Sequence, residues 1–453
     1  MISIDDLNDW IGCMEGHPNT KTPNIDRLAA MGVVFDNAHC AAPVCGPSRA
    51  AVMSGLRPSS SGVYAHIHDE ALAVSGASDS RYLSNWFEDQ GYRTMGAGKI
   101  FHENAPRGAF QELVGREEPA FGPRPENFFH WKQPRTSTDW GAFPERDELM
   151  PDFLTAEWAA NRLSQPQEQP FFMAVGFVRP HVPWYVPQKW FDLHPLESIE
   201  LPPYLPGDQD DIPAIARRIM DMPQMPTTEW AIENEQWKNA IQAYLACISF
   251  VDDCVGTVLD ALEANGHANN TVILLWSDHG YHLGEKNRFA KQSLWDEATR
   301  VPFIISAPGI SGGQHSPRTV SLMDIYPTLL DLCQLPPNPR NEGISIVPLL
   351  ENPLFVWDRA VVTSYGENNH AIRTEKYRYI RYEDGSEELY NLNKDPQEWA
   401  NQASNPEYEE VKQTLKKELP IINTPWDPHT WIPCNDYFRE KTKAGYKGDR
   451  MIK

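Results

Sequence analysis

The chain contains no run of the roughly 18 consecutive apolar residues that a membrane-crossing helix needs. Cations are also scarce: 40 lysines and arginines stand against 62 aspartates and glutamates, for a formal charge of −22. Such a surface disfavours nucleic acid and anionic lipid as partners. A small anionic substrate stays open, provided a few cations or a metal ion hold it in one cleft against the global field. Cysteine is sparse as well. Cys13, Cys40, Cys45, Cys247, Cys254, Cys333 and Cys434 contain no CxxC pair and are too few for a disulfide scaffold. Cys247 and Cys254 lie in an apolar helical pattern and read as buried thiols; Cys45 is a separate case. No basic stretch followed by an apolar run opens the chain, so no secretory leader is visible. The expected location is cytoplasmic if the chain is complete, and periplasmic or secreted if a leader is missing.

What remains is an ordinary globular composition, 41% hydrophobic and 23% charged over 453 residues, ample for a large core and too apolar for a disordered chain. Short β-branched runs alternate with longer helical patterns over the first 335 residues, the signature of βαβ units and a parallel sheet. Strands are expected at Met1–Ile4, Phe171–Val175, Thr271–Trp276 and Val301–Ile305. Helices are expected at Asn24–Met31, stopped by Gly32, and along Glu229–Gly266, long enough to cross a whole sheet. Residues 103–170 show little periodicity before Pro151–Ser164 and read as an elaborated loop region, which in a compact enzyme is usually functional. After the Pro-rich stretch Leu335–Pro353, strands are expected at Ala360–Ser364, Tyr377–Tyr382 and Glu388–Tyr390, with Asp384-Gly385 as a hairpin turn and a helix over Glu409–Lys417. The domains are therefore set at 1–350 and 351–453, the second a smaller α+β unit.

Two acidic pairs stand out. Asp5-Asp6 follows the first strand and Asp278-His279 follows the strand Thr271–Trp276. In open α/β sheets the ligand lies beyond the carboxyl ends of the strands, so the pairs converge there. Adjacent carboxylates repel unless a cation joins them, and three carboxylates with one imidazole suit a hard divalent ion such as calcium or magnesium. For either pair alone helix capping is the plainer explanation; for both together it is not. Cys45 precedes Gly46-Pro47-Ser48-Arg49 and a helical run. This places its side chain at a helix N-terminus that favours anions, with Arg49 as a bidentate donor one turn on. A buried cysteine before a capped helix is the plainer alternative.

The segment resembles the sulfatases of the alkaline phosphatase superfamily. Their Cys-x-Pro-Ser-Arg signature is matched by Cys45, Pro47, Ser48 and Arg49, with Ser54, Gly55 and Pro58 as a looser tail. Further elements are similar in order along the chain: Gly98-Lys99-Ile100-Phe101-His102, Arg179-Pro180-His181-Val182-Pro183, Gly284-Glu285 with Ala290-Lys291, and Glu388-Leu389-Tyr390-Asn391 with Asp395-Pro396. With Asp278-His279 in place of the commoner Asp-Asn, the pattern is closest to iduronate-2-sulfatase-like members.

The resemblance implies a mixed, mostly parallel sheet flanked by helices and a C-terminal α+β subdomain with an antiparallel sheet. It implies that Cys45 is converted by a formylglycine-generating enzyme to formylglycine, and that Asp5, Asp6, residue 45, Asp278 and His279 hold calcium, with magnesium as the alternative. Lys99 and Lys291 are expected to neutralise the sulfate, His181 to protonate the leaving oxygen with help from Lys291, His102 to take the proton from the remaining hydroxyl, and Arg49 to hold the oxyanion. Singly, each of these lysines reads better as a solvated charge and each histidine as a structural group; the combination carries the reading.

The expected substrate is a sulfated carbohydrate, with Trp184, His370 and Arg373 as contacts. Tyr185, Trp131, Trp140 and Trp295 add aromatic surface suited to sugar stacking, whereas Trp276 reads as core. His282 reads equally as structural or substrate-facing. Two other functions compete: a phosphonate or phosphate monoester hydrolase of the same superfamily, and a non-catalytic sulfated-glycan-binding protein.

Overall fold

The computed structural model describes residues 1–116, 118–133, 136–431 and 436–445; Cys434 lies outside them. Its centre is an eight-stranded sheet in the order β10-β2-β9-β8-β1-β6-β3-β4. These strands are β1 (Ile2–Ile4), β2 (Val33–His39), β3 (Arg93–Gly98), β4 (Glu112–Val114), β6 (Phe171–Phe177), β8 (Ile273–Ser277), β9 (Phe303–Ser306) and β10 (Gln314–Ser321). β1 lies parallel between β6 and β8, in a register that sets Ile4 beside Phe177 and Ser277. The carboxyl ends of three strands are thereby level. Only β9 runs antiparallel to its neighbours β8 and β2, so the sheet is mixed and mostly parallel.

The buried strands are apolar on both faces, as expected for a sheet covered on both sides. One layer contains the helices α1 (Pro23–Met31), Pro151–Leu163 and Trp237–Ala264. The other contains α2 (Cys45–Ser54) and Ile325–Leu332. The expected single helix over Glu229–Gly266 is divided into Thr228–Glu233 and Trp237–Ala264, because Glu235 takes a left-handed φ of 56° between them. The elaborated loop region holds β4 and β5 (Trp140–Ala142), the latter paired in parallel with β7 (Trp184–Val186), which lies beyond β6. No described helix is long and apolar enough to cross a membrane.

A four-stranded antiparallel sheet follows: β11 (Val361–Ser364), β12 (His370–Arg373), β13 (Tyr377–Arg381) and β14 (Glu387–Asn391), in sequential order. Asp384-Gly385 makes the turn between β13 and β14, with Gly385 at φ 88°. This sheet joins the main body by main-chain and hydroxyl bonds, Ser364 N–H to Ala41 O at 2.9 Å and Thr363 Oγ1 to Cys40 O at 2.6 Å. That attachment lies just ahead of Cys45.

Candidate active site

Successive side chains of a strand point to opposite faces, so consecutive carboxylates do not ordinarily share a pocket. Asp6 leaves β1 with φ 61°, a left-handed turn that Asp tolerates better than most residues, and both carboxylates reach the same centre. Gly98 turns β3 in the same way at φ 72°, where a Cβ would collide with the carbonyl of Gly176. Lys99 is thereby delivered to Asp5. From β8, Asp278 accepts from the Asp6 N–H at 3.2 Å.

Cys45 is the first residue of α2 and is buried. Its Sγ lies 2.9 Å from Lys291 Nζ, 3.3 Å from His279 Nε2 and 3.9 Å from Asp6 Oδ1. Burial works to raise the thiol pKa, but Lys291, Lys99 and His279, with a hydrogen bond to His102, bring it well below the ordinary thiol value. Gly46 is required beside it, since a Cβ there would stand 2.8 Å from His66 Nδ1.

Each carboxylate has a cationic partner. Lys99 pairs with Asp5 Oδ2, Lys291 Nζ lies 2.7 Å from Asp6 Oδ1, and Arg49 Nε donates to Asp278 Oδ2 at 2.7 Å. Burial, opposed by Arg49 and reinforced by Asp5, raises the Asp278 carboxyl to about 7. His279 is raised to about 9: burial opposes the shift, and Asp278 and Cys45 outweigh it. Lys291 is likewise held well above its usual value by Asp6 and Cys45 against burial.

The second oxygens decide whether a cation fits. Asp5 Oδ1 and Asp6 Oδ2 are buried and accept no hydrogen bond, a costly condition for a carboxylate oxygen. One ligand atom from each of Asp5, Cys45, Asp278 and His279 lies within 4.8 Å of the others, and so does one from each of Asp5, Asp6, Cys45 and His181. The residues fit a hard divalent ion.

The structure brings Asp5, Asp6, Cys45, Arg49, Lys99, His102, His181, Asp278, His279 and Lys291 together. His181 bonds Val182 O through Nδ1 at 2.7 Å, which leaves Nε2 turned inward, 4.0 Å from Asp6 Oδ2. Arg49 is engaged through Nε and Nη1 by Asp278, Ser3 Oγ and the carbonyls of Lys99 and Ile100, so it anchors a carboxylate, while its Nη2 makes no hydrogen bond. Sequence reasoning passed over His66, whose ring stacks on His102 at 3.8 Å, and Phe121, whose ring meets His181 at 4.9 Å. It also passed over Arg116, whose guanidinium lies 5.2 Å from the centre of the same Phe121 ring. The closely spaced histidines His66 and His68, either side of Ile67, were the only signal for the first; Phe121 and Arg116 carried none.

The expected substrate contacts lie elsewhere. Trp184 is 0% exposed and packs in the core against Tyr244 and Tyr281, its indole N–H bonded to Pro180 O at 2.7 Å. Alternation along β7 turns it inward, so no ring face is left for a sugar. His370 is buried in β12 with its ring nitrogens held by Ser364 Oγ at 2.9 Å and Asn423 Oδ1 at 2.8 Å. Arg373 sits 3.4 Å from Asp296 and also donates to Thr374 O. Trp131, Trp140, Trp276 and Trp295 are buried, as is His282, which bonds Ser293 Oγ at 2.8 Å.

Comparison with known proteins adds the following. The family profile described as "Sulfatase" matches residues 1–335, and that described as "N-sulphoglucosamine sulphohydrolase, C-terminal" matches residues 284–424. A "Sulfatase" of Formosa agariphila is 47% identical over 100% of this chain and 92% of its own length. The "Iduronate 2-sulfatase" of Mus musculus is 30% identical over 75% of this chain and 69% of its own. A solved protein in complex with its substrate D-glucosamine-2-N,6-O-disulfate shares the fold with a TM-score of 0.74 at 22% identity, over 92% of this chain and 96% of that one.

Proposed function

The chain belongs to the sulfatase family, and we propose that this sulfuric ester hydrolase removes sulfate from a sulfated sugar of a polysaccharide or glycosaminoglycan, with residue 45 as the nucleophile. The observation that carries the reading is the convergence of Cys45, three carboxylates and three matched cations, with one buried oxygen on Asp5 and one on Asp6 left without a partner. The sugar class is supported by the name of the mouse relative. A phosphonate or phosphate monoester hydrolase is not favoured, since the family profile and both relatives are sulfatases.

Asp5, Asp6, Asp278 and His279, with residue 45, would hold a divalent cation, calcium or magnesium, whose chemistry is to polarise a sulfate oxygen and lower the pKa of a hydroxyl. Conversion of Cys45 to formylglycine by a formylglycine-generating enzyme would supply that hydroxyl as its hydrate. Lys99 and Lys291 neutralise the transferring group, a task of positioning and charge stabilisation. His181, its Nδ1 fixed on Val182 O, presents Nε2 to the leaving oxygen. His102, half-buried and stacked on His66, would take a proton at residue 45. Arg49 fixes Asp278.

The test is sulfate release from a panel of sulfated oligosaccharides and p-nitrophenyl sulfate, for protein produced with the modifying enzyme. Release by the native chain and none by Cys45→Ala is expected; equal release by both would overturn residue 45 as nucleophile, and no release from any ester would overturn the activity.

A further inference from the structure

We infer that Arg116 is a specificity residue that binds a second anionic group of the substrate, a carboxylate or a further sulfate, beside the ester to be cleaved; this rests on the sulfated-sugar reading above. The inner cations of the site are all matched, Lys99 with Asp5, Lys291 with Asp6 and Arg49 with Asp278. Arg116 is not. Its Nε donates to Glu103 O at 2.9 Å, while Nη1 is buried without a hydrogen-bond partner, and no carboxylate among the described residues pairs with it. Glu103 itself faces His68, 2.8 Å away.

Its position ties it to the site. The guanidinium lies 5.2 Å from the centre of the Phe121 ring; Lys99 Nζ lies 5.8 Å from the same centre, and the His181 ring packs on Phe121 at 4.9 Å. One aromatic ring thus links Arg116 to a sulfate-neutralising lysine and to the proposed leaving-group acid. Arg116 feels the charges of Asp5 and Cys45 yet pairs with neither, so it stands outside the inner ring of charge.

A guanidinium donor withdrawn from water and left unpaired is unfavourable unless an anion completes it. Its planar fork matches a carboxylate or a sulfate in two bonds. With a formal charge of −22 on the chain, the global field does not retain a polyanionic sugar, so local donors must.

The test uses calorimetric binding to the Cys45→Ala protein, with and without Arg116→Gln or Arg116→Lys. The probes are a uronate-2-sulfate disaccharide, the same disaccharide with its carboxylate reduced to an alcohol, and a hexosamine sulfate as mono- and disulfate. Arg116→Gln should cut the affinity ratio between doubly and singly charged members of one pair about tenfold or more, with Arg116→Lys between it and the native residue. The pair that responds names the anion. An equal loss on every probe, no loss on any, or no binding of any probe to the parent would overturn the inference. Hydrolysis of p-nitrophenyl sulfate by the unmutated enzyme judges the sulfatase reading separately.

Discussion

Lys291 and Asp296 lie on one segment, a loop that runs into the short helix Asp296–Thr299, but belong to two buried charge clusters built in opposite ways. Around Asp296 the charges pair with one another; even Arg378 Nε and Glu398 Oε1, which make no hydrogen bond, face each other as an ion pair at 2.5 Å. Its carboxylate meets Arg300 at 3.1 Å, Arg373 at 3.4 Å and Arg378, and its N–H donates to Glu398 at 2.8 Å. Nearby, Glu388 accepts from Trp295 Nε1 at 2.9 Å and from the hydroxyls of Tyr382 and Tyr390 at 2.6 Å each. Around Cys45, each of Asp5 and Asp6 keeps one oxygen without a hydrogen bond, and Arg49 Nη2 likewise lacks one. A filled network fixes the C-terminal sheet to the loop, while an unfilled one is left open to a ligand. The loop thus takes its rigidity from the first cluster and presents Lys291 to the second.

The contrast breaks most sharply at residue 45. Cys45→Ala should abolish sulfate release, a loss of about 10³-fold or more for removal of a nucleophile, with the melting temperature little changed. Lys291→Ala should follow, lowering kcat by about 10²–10³ through lost charge stabilisation; steady-state kinetics on one sulfate ester checks both. Glu388→Ala should do the reverse. It strands three buried donors and should cost about 3 kcal/mol or more of stability, read by urea unfolding, with activity per folded molecule retained. If Glu388→Ala silences the folded enzyme, the division between the clusters is wrong.

A smaller effect sharpens the same line through pH. Burial lowers His370 to about 4, against about 6.5 in an unfolded chain. The folded state binds the proton more weakly, so this contribution is complete above about pH 6.5 and is lost as pH falls toward 4. It amounts to about 3 kcal/mol at most. Unfolding at pH 7 and pH 5 should show a steeper decline for the native protein than for His370→Asn; parallel declines would contradict it.

The sequence told most where chemistry sits next to a strand end. β1, β6 and β8 are short apolar runs and the two acidic pairs follow strands directly, so the carboxylates that converge on the candidate site were legible, whereas Lys99 was found only through the resemblance of its motif. β2 was missed because Asp36 and Asn37 interrupt its apolar run, β3 because Gly96 and Gly98 dilute it, and β12 because His-Ala-Ile-Arg spans only four residues and does not alternate. His66, Arg116 and Phe121 reach the site through loops whose spacing has no period. Trp184 was misjudged for a related reason: it lies close to His181 in sequence, but strand alternation sends it to the core.

The most direct test is peptide mass spectrometry of the fragment holding Cys45, from protein made with a competent formylglycine-generating enzyme. The account predicts a residue lighter by about 18 Da than cysteine, accompanied by sulfate release. An unmodified thiol in a protein that still releases sulfate, or a modified residue 45 in one that releases none from any sulfate ester, would contradict it.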